Sequence, residues 1–317
     1  MQNIEGIAEM KVRDVFFLDV YDKAKSGEDI IIASSDIGAP SLDEFRIMFG
    51  NRFVNVGIAE QNLLAVSAGL AFAGKKVIAY GLNPFPVTRA FDQIRNFMAS
   101  MQLPITLTAL NAGTCSAEAG YTHMPVENVS IMRTLQNIKV INPSDETISH
   151  MLVNEILSHP SPRYIQFDKY IEGKQYEKCD IDFSRGFVVN RNDDKQNVVI
   201  ITYGIWVREC LKAGLDCDII DCFSLPVNEE ILIGELRKYE NIVTVEDGIL
   251  VGGLGSMILE IINKYGMNNK IISYGLCMKD GYPKTYTNRE VIWNQSGIKI
   301  DALNRLIGHF SRSSDNE

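Results

Sequence analysis

The sequence predicts an α/β protein of two domains, the first built on a parallel sheet and the second a smaller α/β unit. Short apolar runs alternate with helical stretches in both halves of the chain, which is typical of parallel sheets covered by helices. A polar, charged stretch at 168–182 interrupts this alternation. The 317 residues can form two cores, and we place the domains at residues 1–175 and 185–317.

The elements of the first domain are predicted from runs of strand or helix length. The predicted strands are short and apolar, at 30–33, 76–80, 105–110, 139–141 and 164–167. The predicted helices are longer, at 60–73, 86–101, 126–135 and 146–157. The run 53–58 predicts a further short strand or turn, in which Gly57 would allow a close approach of the backbone.

The second domain repeats the same alternation after a charged turn at 190–197. Strands are predicted at 197–202, 217–221, 242–245 and 270–273, and helices at 205–213, 229–239 and 253–264. The glycine-rich segment 247–255 follows a strand, but its spacing is not that of a dinucleotide-binding turn. We therefore do not expect a nucleotide there.

Composition excludes several classes of function. The 31 basic and 40 acidic residues give a net charge of −9, so the protein has no general attraction for nucleic acid or anionic membranes. The six cysteines have neither CxxC nor metal-ligand spacing, and no apolar run reaches the length of a membrane span. The amino terminus has no basic-then-apolar leader. We expect a cytoplasmic protein with reduced thiols and no metal ligands of its own.

Glu60 lies in the most informative segment, Arg52-Phe-Val-Asn-Val-Gly-Ile-Ala-Glu-Gln-Asn62, where an apolar run meets a helix rich in small residues. A glutamate in a first helical turn is common because it complements the helix dipole. Two further strings change this interpretation, Arg89-Ala-Phe-Asp-Gln-Ile-Arg95 and Gly120-Tyr-Thr-His-Met-Pro-Val-Glu127. In this order the three strings resemble the pyrimidine-binding domain of thiamine diphosphate enzymes in the transketolase family.

The resemblance covers residues 10–310 and implies a pyrimidine-binding domain followed by a transketolase C-terminal domain. It implies that Glu60 is catalytic and binds the cofactor, because a partly desolvated carboxylic acid at N1′ favours the imino form of the aminopyrimidine. Phe85 and Leu82 would pack against the ring, with Leu82 where an aromatic residue is expected. Ile58 and Arg89 complete the implied cofactor-binding set.

His123 is the second implied catalytic residue, and it would hydrogen-bond oxygens of the donor sugar. It lies in an irregular segment after a strand, where loops of parallel sheets carry function. The resemblance also assigns substrate contacts to four other residues: Asn111, Glu118, Lys169 and Ser41.

Three positions depart from the family pattern. Ala119 replaces an Asp directed at a sugar hydroxyl, Asn111 replaces a His, and Lys169 replaces an Arg, the last two near the acceptor phosphate. Losing such contacts costs roughly 1–3 kcal/mol each. We therefore expect a sugar substrate other than those of the housekeeping enzyme.

The chain lacks the Gly-Asp-Gly signature of a diphosphate-binding domain. The resemblance thus implies a split enzyme, in which an amino-terminal subunit supplies the diphosphate site and the ligands for Mg²⁺ or Ca²⁺. Closed two-fold assemblies are common, so an α2β2 heterotetramer is the simplest arrangement. The assembled enzyme would transfer a two-carbon ketol unit between a ketose and an aldehyde, and this chain alone would be inactive.

Three alternatives stay open from the sequence. The chain could be the beta subunit of a 2-oxo acid dehydrogenase, which has the same two domains, although the strings at His123 and Arg89 argue against it. It could act like a deoxyxylulose-phosphate synthase and condense pyruvate with an aldehyde. It could also be a non-catalytic binding subunit, which the changes at Ala119, Asn111 and Leu82 would favour.

Overall fold

The first domain is built on a seven-stranded sheet, and it supplies six of the seven strands. The order of these strands determines which of the loops that follow them lie next to one another. The computed structural model describes residues 10–192, 197–278, 281–282 and 286–314. The strands of the first domain are β1 Ile30–Ser34, β2 Phe53–Asn55, β3 Lys76–Leu82, β4 Ile105–Leu110, β5 Lys139–Ile141 and β6 Arg163–Phe167. They pair in parallel in the order β5-β6-β4-β3-β1-β2. This confirms the predicted parallel sheet.

Helices cover both faces of this sheet. They are α1 Val12–Lys25, α2 Asp43–Met48, α3 Glu60–Phe72, α4 Phe85–Thr88, α5 Phe91–Gln93, α6 Asn128–Arg133 and α7 Glu146–Ser158. Apolar side chains of α1 and α7, such as Phe16 and Leu152, pack in one core cluster, and those of α3, such as Leu63, pack in another. Neither α1 nor α2 was among the predicted helices.

The helix predicted at 86–101 is broken once and then changes its type. α4 ends at Thr88, and Ala90 leaves the helical region with φ −109° and ψ 25°. After α5 the chain continues as a π-helical segment, Ile94–Ser100. The break is consistent with the complete burial of Ala90, and it leaves Arg89 at the end of α4.

The second domain is a five-stranded sheet with five helices in the described part of the chain. Its strands are β7 Val188–Asn190, β8 Val198–Thr202, β9 Asp218–Asp221, β11 Asn241–Ile249 and β12 Lys270–Leu276, in the order β12-β11-β8-β9-β7. Its helices are α8 Ile205–Lys212, α9 Glu229–Leu236, α10 Leu254–Lys264, α11 Arg289–Gln295 and α12 Ile300–Ser314. Among the described strands of this sheet, the β7–β9 pair is antiparallel and the others are parallel.

One strand of the second half of the chain joins the first sheet. β10, Ser224–Leu225, pairs antiparallel with β5 at the edge of the seven-stranded sheet. The sequence did not predict it, because two residues carry no periodic signal. The two predicted α/β units are therefore joined by backbone hydrogen bonds. In the described residues, no helix is both long and apolar enough to cross a membrane.

The glycine-rich segment before α10 accommodates a carboxylate of this chain. Glu246 accepts hydrogen bonds from the backbone N–H groups of Leu254 and Gly255, each at 2.9 Å. A Cβ at Gly253 would lie 2.1 Å from Oε2 of Glu246, so only glycine fits. Burial raises the pKa of Glu246 to about 7, against the opposing effect of these backbone donors. The first N–H groups of α10 are thus occupied by a side chain of this chain.

A buried carboxyl group at the contact of the two domains gives a testable pH dependence. Asp221 of β9 is fully buried and accepts hydrogen bonds from Ser144 and, at 3.0 Å, from the hydroxyl of Tyr176. Burial raises the pKa of Asp221 from 3.8 to about 7. A raised carboxyl pKa contributes stability that is complete below the unfolded pKa and is lost as pH rises towards the folded one.

We expect Asp221→Asn to remove part of this pH dependence. Between pH 5 and pH 8 the wild type should lose up to about 3 kcal/mol of stability at this site, and the variant should not. Thermal unfolding midpoints of both proteins at the two pH values measure the difference. An equal change in midpoint for both proteins would show that Asp221 does not titrate in this range.

Candidate active site

The carboxyl edge of the seven-stranded sheet brings most of the predicted site residues to one side of the domain. Ser41 follows β1, Ile58 and Glu60 follow β2, and Leu82, Phe85 and Arg89 lie at or after the end of β3. Asn111, Glu118 and His123 follow β4, and Lys169 follows β6. Ligands of open parallel sheets bind outside this edge.

Glu60 is a buried carboxylate at the first residue of α3. It is 2% exposed, and its Oε2 accepts a hydrogen bond from Nη1 of Arg89 at 2.6 Å. Gly57 has φ +74°, and a Cβ added to it would meet no atom within 4 Å, so glycine is needed there for the left-handed turn. The predicted close approach at Gly57 is therefore wrong, since no neighbouring atom comes near it.

Phe85 connects Glu60 to His123. The guanidinium carbon of Arg89 lies 4.8 Å from the centre of the Phe85 ring, a cation–π contact. The His123 ring meets the same phenyl ring edge-on, with centres 5.3 Å apart and planes at 87°. Glu60, Arg89, Phe85 and His123 thus form a continuous series of contacts, which we call the Glu60 cluster.

The two other residues predicted to contact the cofactor, Leu82 and Ile58, are apolar and lie within three residues of Phe85 and Glu60 in the sequence. Leu82 is half-buried at the end of β3, and Ile58 is 76% exposed two residues before Glu60. A large apolar side chain that is this exposed beside a buried carboxylate is suited to contact another molecule.

The segment before Phe85 is held by a buried network that the sequence did not reveal. Oδ1 of Asn83 accepts hydrogen bonds from Asn128 at 3.0 Å and from the Tyr164 hydroxyl at 2.9 Å. Its Nδ2 donates to the backbone oxygen of Asn111 at 2.9 Å. All four residues are buried. An asparagine three residues after the predicted strand at 76–80 is the signal that could have identified Asn83.

Asn111 and His123 occupy the irregular segment after β4. Asn111 is buried with φ +74°, and its Oδ1 accepts a hydrogen bond from the Cys115 thiol at 3.6 Å. The Asn111 side chain therefore has a partner within its own loop. Nδ1 of His123 lies 3.0 Å from the hydroxyl of Thr122.

Lys169 and Glu118 form an ion pair at the same edge. Nζ of Lys169 also donates to the Ser116 hydroxyl at 3.1 Å. Burial opposes the charge of Lys169, but the Glu118 carboxylate outweighs it and raises the pKa of the lysine. Burial likewise opposes the charge of Glu118, and Lys169 lowers the pKa of that carboxyl. A phosphate group here would meet a lysine that already has an acidic partner.

Ser41 lies in a separate polar group beside α1. Its hydroxyl donates to Oδ1 of Asp14 at 2.7 Å, and Nη2 of Arg13 binds both oxygens of the same carboxylate, at 2.9 and 2.8 Å. Among the contacts of the described residues, this group is not joined to the Glu60 cluster. Arg13 is a basic residue near Ser41 that was not predicted from the sequence to belong to the site.

The described residues contain no group of three or more His, Cys, Asp or Glu side chains placed to hold a metal ion. They do contain a hydrogen-bonded acid, an aromatic wall and an imidazole on one edge. This set can donate to and accept from a heteroaromatic ring, hold that ring against an apolar surface and contact a polar substrate.

Comparison with known proteins covers both domains. Residues 8–170 match the family described as Transketolase, pyrimidine binding domain, and residues 188–293 match Transketolase, C-terminal domain. The putative transketolase C-terminal section of Methanocaldococcus jannaschii is 31% identical over 80% of this chain and 82% of that protein. One of the subunits of the apulose-4-phosphate transketolase of Phocaeicola vulgatus is 28% identical over 82% of this chain and 86% of that protein.

Two further comparisons bear on the alternatives. The 1-deoxy-D-xylulose-5-phosphate synthase of Desulfotalea psychrophila is 26% identical over 90% of this chain but only 45% of that protein. A solved structure described as a split gene transketolase, inactive beta4 tetramer, has the same fold, with a TM-score of 0.80 at 24% identity over 95% of this chain and 98% of that one. The resemblance inferred from the three sequence strings is confirmed, and the chain belongs to the transketolase family.

Proposed function

We propose that this chain is the carboxy-terminal subunit of a heteromeric, thiamine-diphosphate-dependent transketolase-like transferase. The observation that carries the proposal is the buried Glu60 carboxylate, placed at a helix start beside Phe85 and His123 on the carboxyl edge of the sheet. Bound there, thiamine diphosphate would supply a carbanion nucleophile for the donor carbonyl. The proposed net reaction breaks the C2–C3 bond of a ketose, releases the shortened aldose, and joins the two-carbon ketol unit to the carbonyl carbon of an acceptor aldehyde.

The residues present fit the pyrimidine half of the cofactor. Glu60 is nearly inaccessible to water, so its carboxyl group can share a proton with a ring nitrogen without competition from solvent. Phe85 and Leu82 offer apolar surface for the ring, and the exposed Ile58 extends this surface. Arg89 is 48% exposed in its side chain and can move when the ring approaches Glu60.

The diphosphate half is assigned to a partner subunit. The sequence has no Gly-Asp-Gly signature, and the described residues offer no acidic cluster for Mg²⁺ or Ca²⁺. The Phocaeicola vulgatus relative is named as one subunit of its transketolase, which supports a separately encoded amino-terminal subunit. We propose an α2β2 heterotetramer in the cytoplasm, acting in carbohydrate metabolism, in which this chain contributes domains 1–175 and 185–317.

The proposed substrate is a phosphorylated sugar other than the housekeeping ones. His123 would contact the donor oxygens, and Lys169, Glu118, Asn111 and Ser41 would surround the sugar and its phosphate. The name of the Phocaeicola vulgatus relative supports a sugar phosphate. Because Ala119 cannot hydrogen-bond a hydroxyl, recognition at that position differs from the family pattern.

Condensation of pyruvate with an aldehyde is the second candidate, and the synthase relative supports it. The two activities differ in their donors. A ketose phosphate is cleaved in the first and pyruvate is decarboxylated in the second, so carbon dioxide release from pyruvate by the assembled enzyme would favour the second.

The test of the proposed function is thiamine diphosphate binding with Mg²⁺, measured by calorimetry. We expect no binding to this chain alone and none to the Gly-Asp-Gly partner alone, but stoichiometric binding to the mixture, because each subunit holds half of the cofactor. Omission of Mg²⁺ is the control and should abolish binding. If the mixture also fails to bind, the proposal is wrong and the non-catalytic alternative replaces it.

A further inference from the structure

The loop that carries His123, residues 111–125, is held from outside by the second domain. Asp247 of β11 receives two hydrogen bonds from one residue of this loop, Thr114: its backbone N–H at 2.9 Å and its hydroxyl at 2.7 Å. A Cβ at Gly113 would lie 2.3 Å from Oδ2 of Asp247, so the loop backbone passes directly against the carboxylate. We call residues 111–125 the His123 loop.

Asp247 is itself fixed by α11. Nη2 of Arg289 donates to its Oδ2 at 3.0 Å, and Nε1 of Trp293 donates to its Oδ1 at 2.8 Å. Each carboxylate oxygen of Asp247 therefore accepts two hydrogen bonds, and the residue is only 6% exposed. Buried charged groups are stable only when they are paired in this way.

Arg289 extends the contact to the end of β6. The same Nη2 donates to Oδ2 of Asp168 at 2.6 Å, next to Lys169. Burial opposes the charge of Arg289, but Asp168 and Asp247 outweigh it and hold its pKa above the ordinary value. The guanidinium thus stays charged and links α11 directly to the segment after β6, and through Asp247 to the His123 loop.

The far end of the His123 loop is also in contact with the second domain. The backbone N–H of Ile249, two residues after Asp247, donates to the oxygen of Val126 at 3.0 Å. The ring of Tyr286 packs against Gly120, where a Cβ would lie 3.1 Å from the ring. The second domain therefore contacts the loop at Thr114 and Gly120, before His123, and the chain just after the loop at Val126.

We propose that Asp247 is a positioning residue for catalysis, which acts by holding the His123 loop so that the imidazole stays against Phe85. It touches neither substrate nor cofactor in this role. The effect on catalysis rests on the proposed function, whereas the effect on the loop can be measured in this chain alone.

Asp247→Asn is the variant that tests the proposal. Asparagine places an N–H₂ group where two donors converge, so at least one of the four hydrogen bonds is lost and a donor faces a donor. Asp218→Asn is the matched control, since Asp218 is also 6% exposed in the second domain and is paired with Arg191 and the N–H of Asn192. Within the described part of the chain, Asp218 forms no hydrogen bond to the His123 loop.

Hydrogen exchange on the isolated chain is the first measurement. We expect Asp247→Asn to accelerate exchange of the His123 loop amides by about 10-fold or more, and Asp218→Asn to leave those amides unchanged. If Asp247→Asn does not fold, Thr114→Val removes one of the hydrogen bonds from the loop side and should give a smaller acceleration. An unchanged loop in the folded variant would overturn the proposal.

Kinetics of the assembled enzyme are the second measurement. Introduced into the otherwise wild-type chain, Asp247→Asn should lower kcat/KM by about 10-fold. Introduced into the His123→Ala variant it should lower kcat/KM much less, because the effects of substitutions at residues that act through one another are not additive. Equal losses in both backgrounds would show that Asp247 does not act through His123. If the assembled pair has no transferase activity, the proposed function fails, while the exchange result still decides whether Asp247 holds the loop.

Discussion

The Glu60→Gln protein, assembled with its partner, is expected to bind the cofactor and to lose about 10²–10⁴-fold in transfer rate. Glutamine has the same shape and can still accept the hydrogen bond that Nη1 of Arg89 now gives to Oε2 at 2.6 Å. It cannot share an acidic proton with a ring nitrogen. The fold and the assembly should therefore survive, and only the activation of the cofactor should fail.

Glu155→Gln is the matched control for this substitution. Glu155 lies in α7 of the same domain and is paired with an arginine, Arg163, as Glu60 is with Arg89. We expect it to leave the transfer rate unchanged while it reports the cost of removing an arginine-paired carboxylate. Full activity of Glu60→Gln would remove Glu60 from the chemistry, and loss of partner binding would make it a structural residue.

The sequence predicted the parts of the fold that depend on local periodicity. The strand at 105–110 was placed at its observed limits, and most other predicted strands and helices lie within a few residues of the observed ones. The short strand β10 and the break at Ala90 were missed. β10 forms by pairing with β5, far away in the sequence, and Ala90 is a residue that favours helix by itself. A two-residue edge strand has no pattern of its own.

The residues of the candidate site were named from the sequence, but the contacts between them were not. Glu60, Arg89 and His123 came from the three sequence strings and Phe85 from the stretch just before Arg89, and the sheet order explains why these segments meet. Asp247 and Arg289 could not be found in this way. They lie more than a hundred residues from the His123 loop, and their role depends on a contact between domains that no local signal predicts.

The resemblance also did not show which side chains pair with the residues predicted to contact the substrate. Lys169 is paired with Glu118, and Ser41 donates to Asp14 rather than standing open to a ligand. If the substrate is the proposed sugar phosphate, it has to compete with acidic side chains of this chain, which weakens its binding relative to an unpaired lysine. The expectation of a sugar other than the housekeeping substrates, which came from Ala119, Asn111 and Lys169, stays a prediction.

His123→Ala should lower kcat/KM by about 10²-fold in the assembled enzyme while thiamine diphosphate binding stays within a few-fold of the wild type. Nδ1 of His123 is held by Thr122 at 3.0 Å, and the described residues form no hydrogen bond to Nε2. Nε2 is thus the atom available to a donor sugar oxygen. The His123 ring contacts Phe85 edge-on, so removal of the imidazole leaves the phenyl ring in place to pack against the cofactor.

His150→Ala provides the control, because His150 lies on α7 with its Nδ1 2.6 Å from Oδ2 of Asp19, and among the contacts of the described residues it does not join the Glu60 cluster. It should not change the kinetics. The informative comparison is between substrate kinetics and cofactor affinity in the His123 variant. If both fall together, His123 supports the cofactor pocket and not the sugar. If neither changes, the imidazole is a structural neighbour of Phe85, and the donor sugar must be bound by other residues of this edge or by the partner chain.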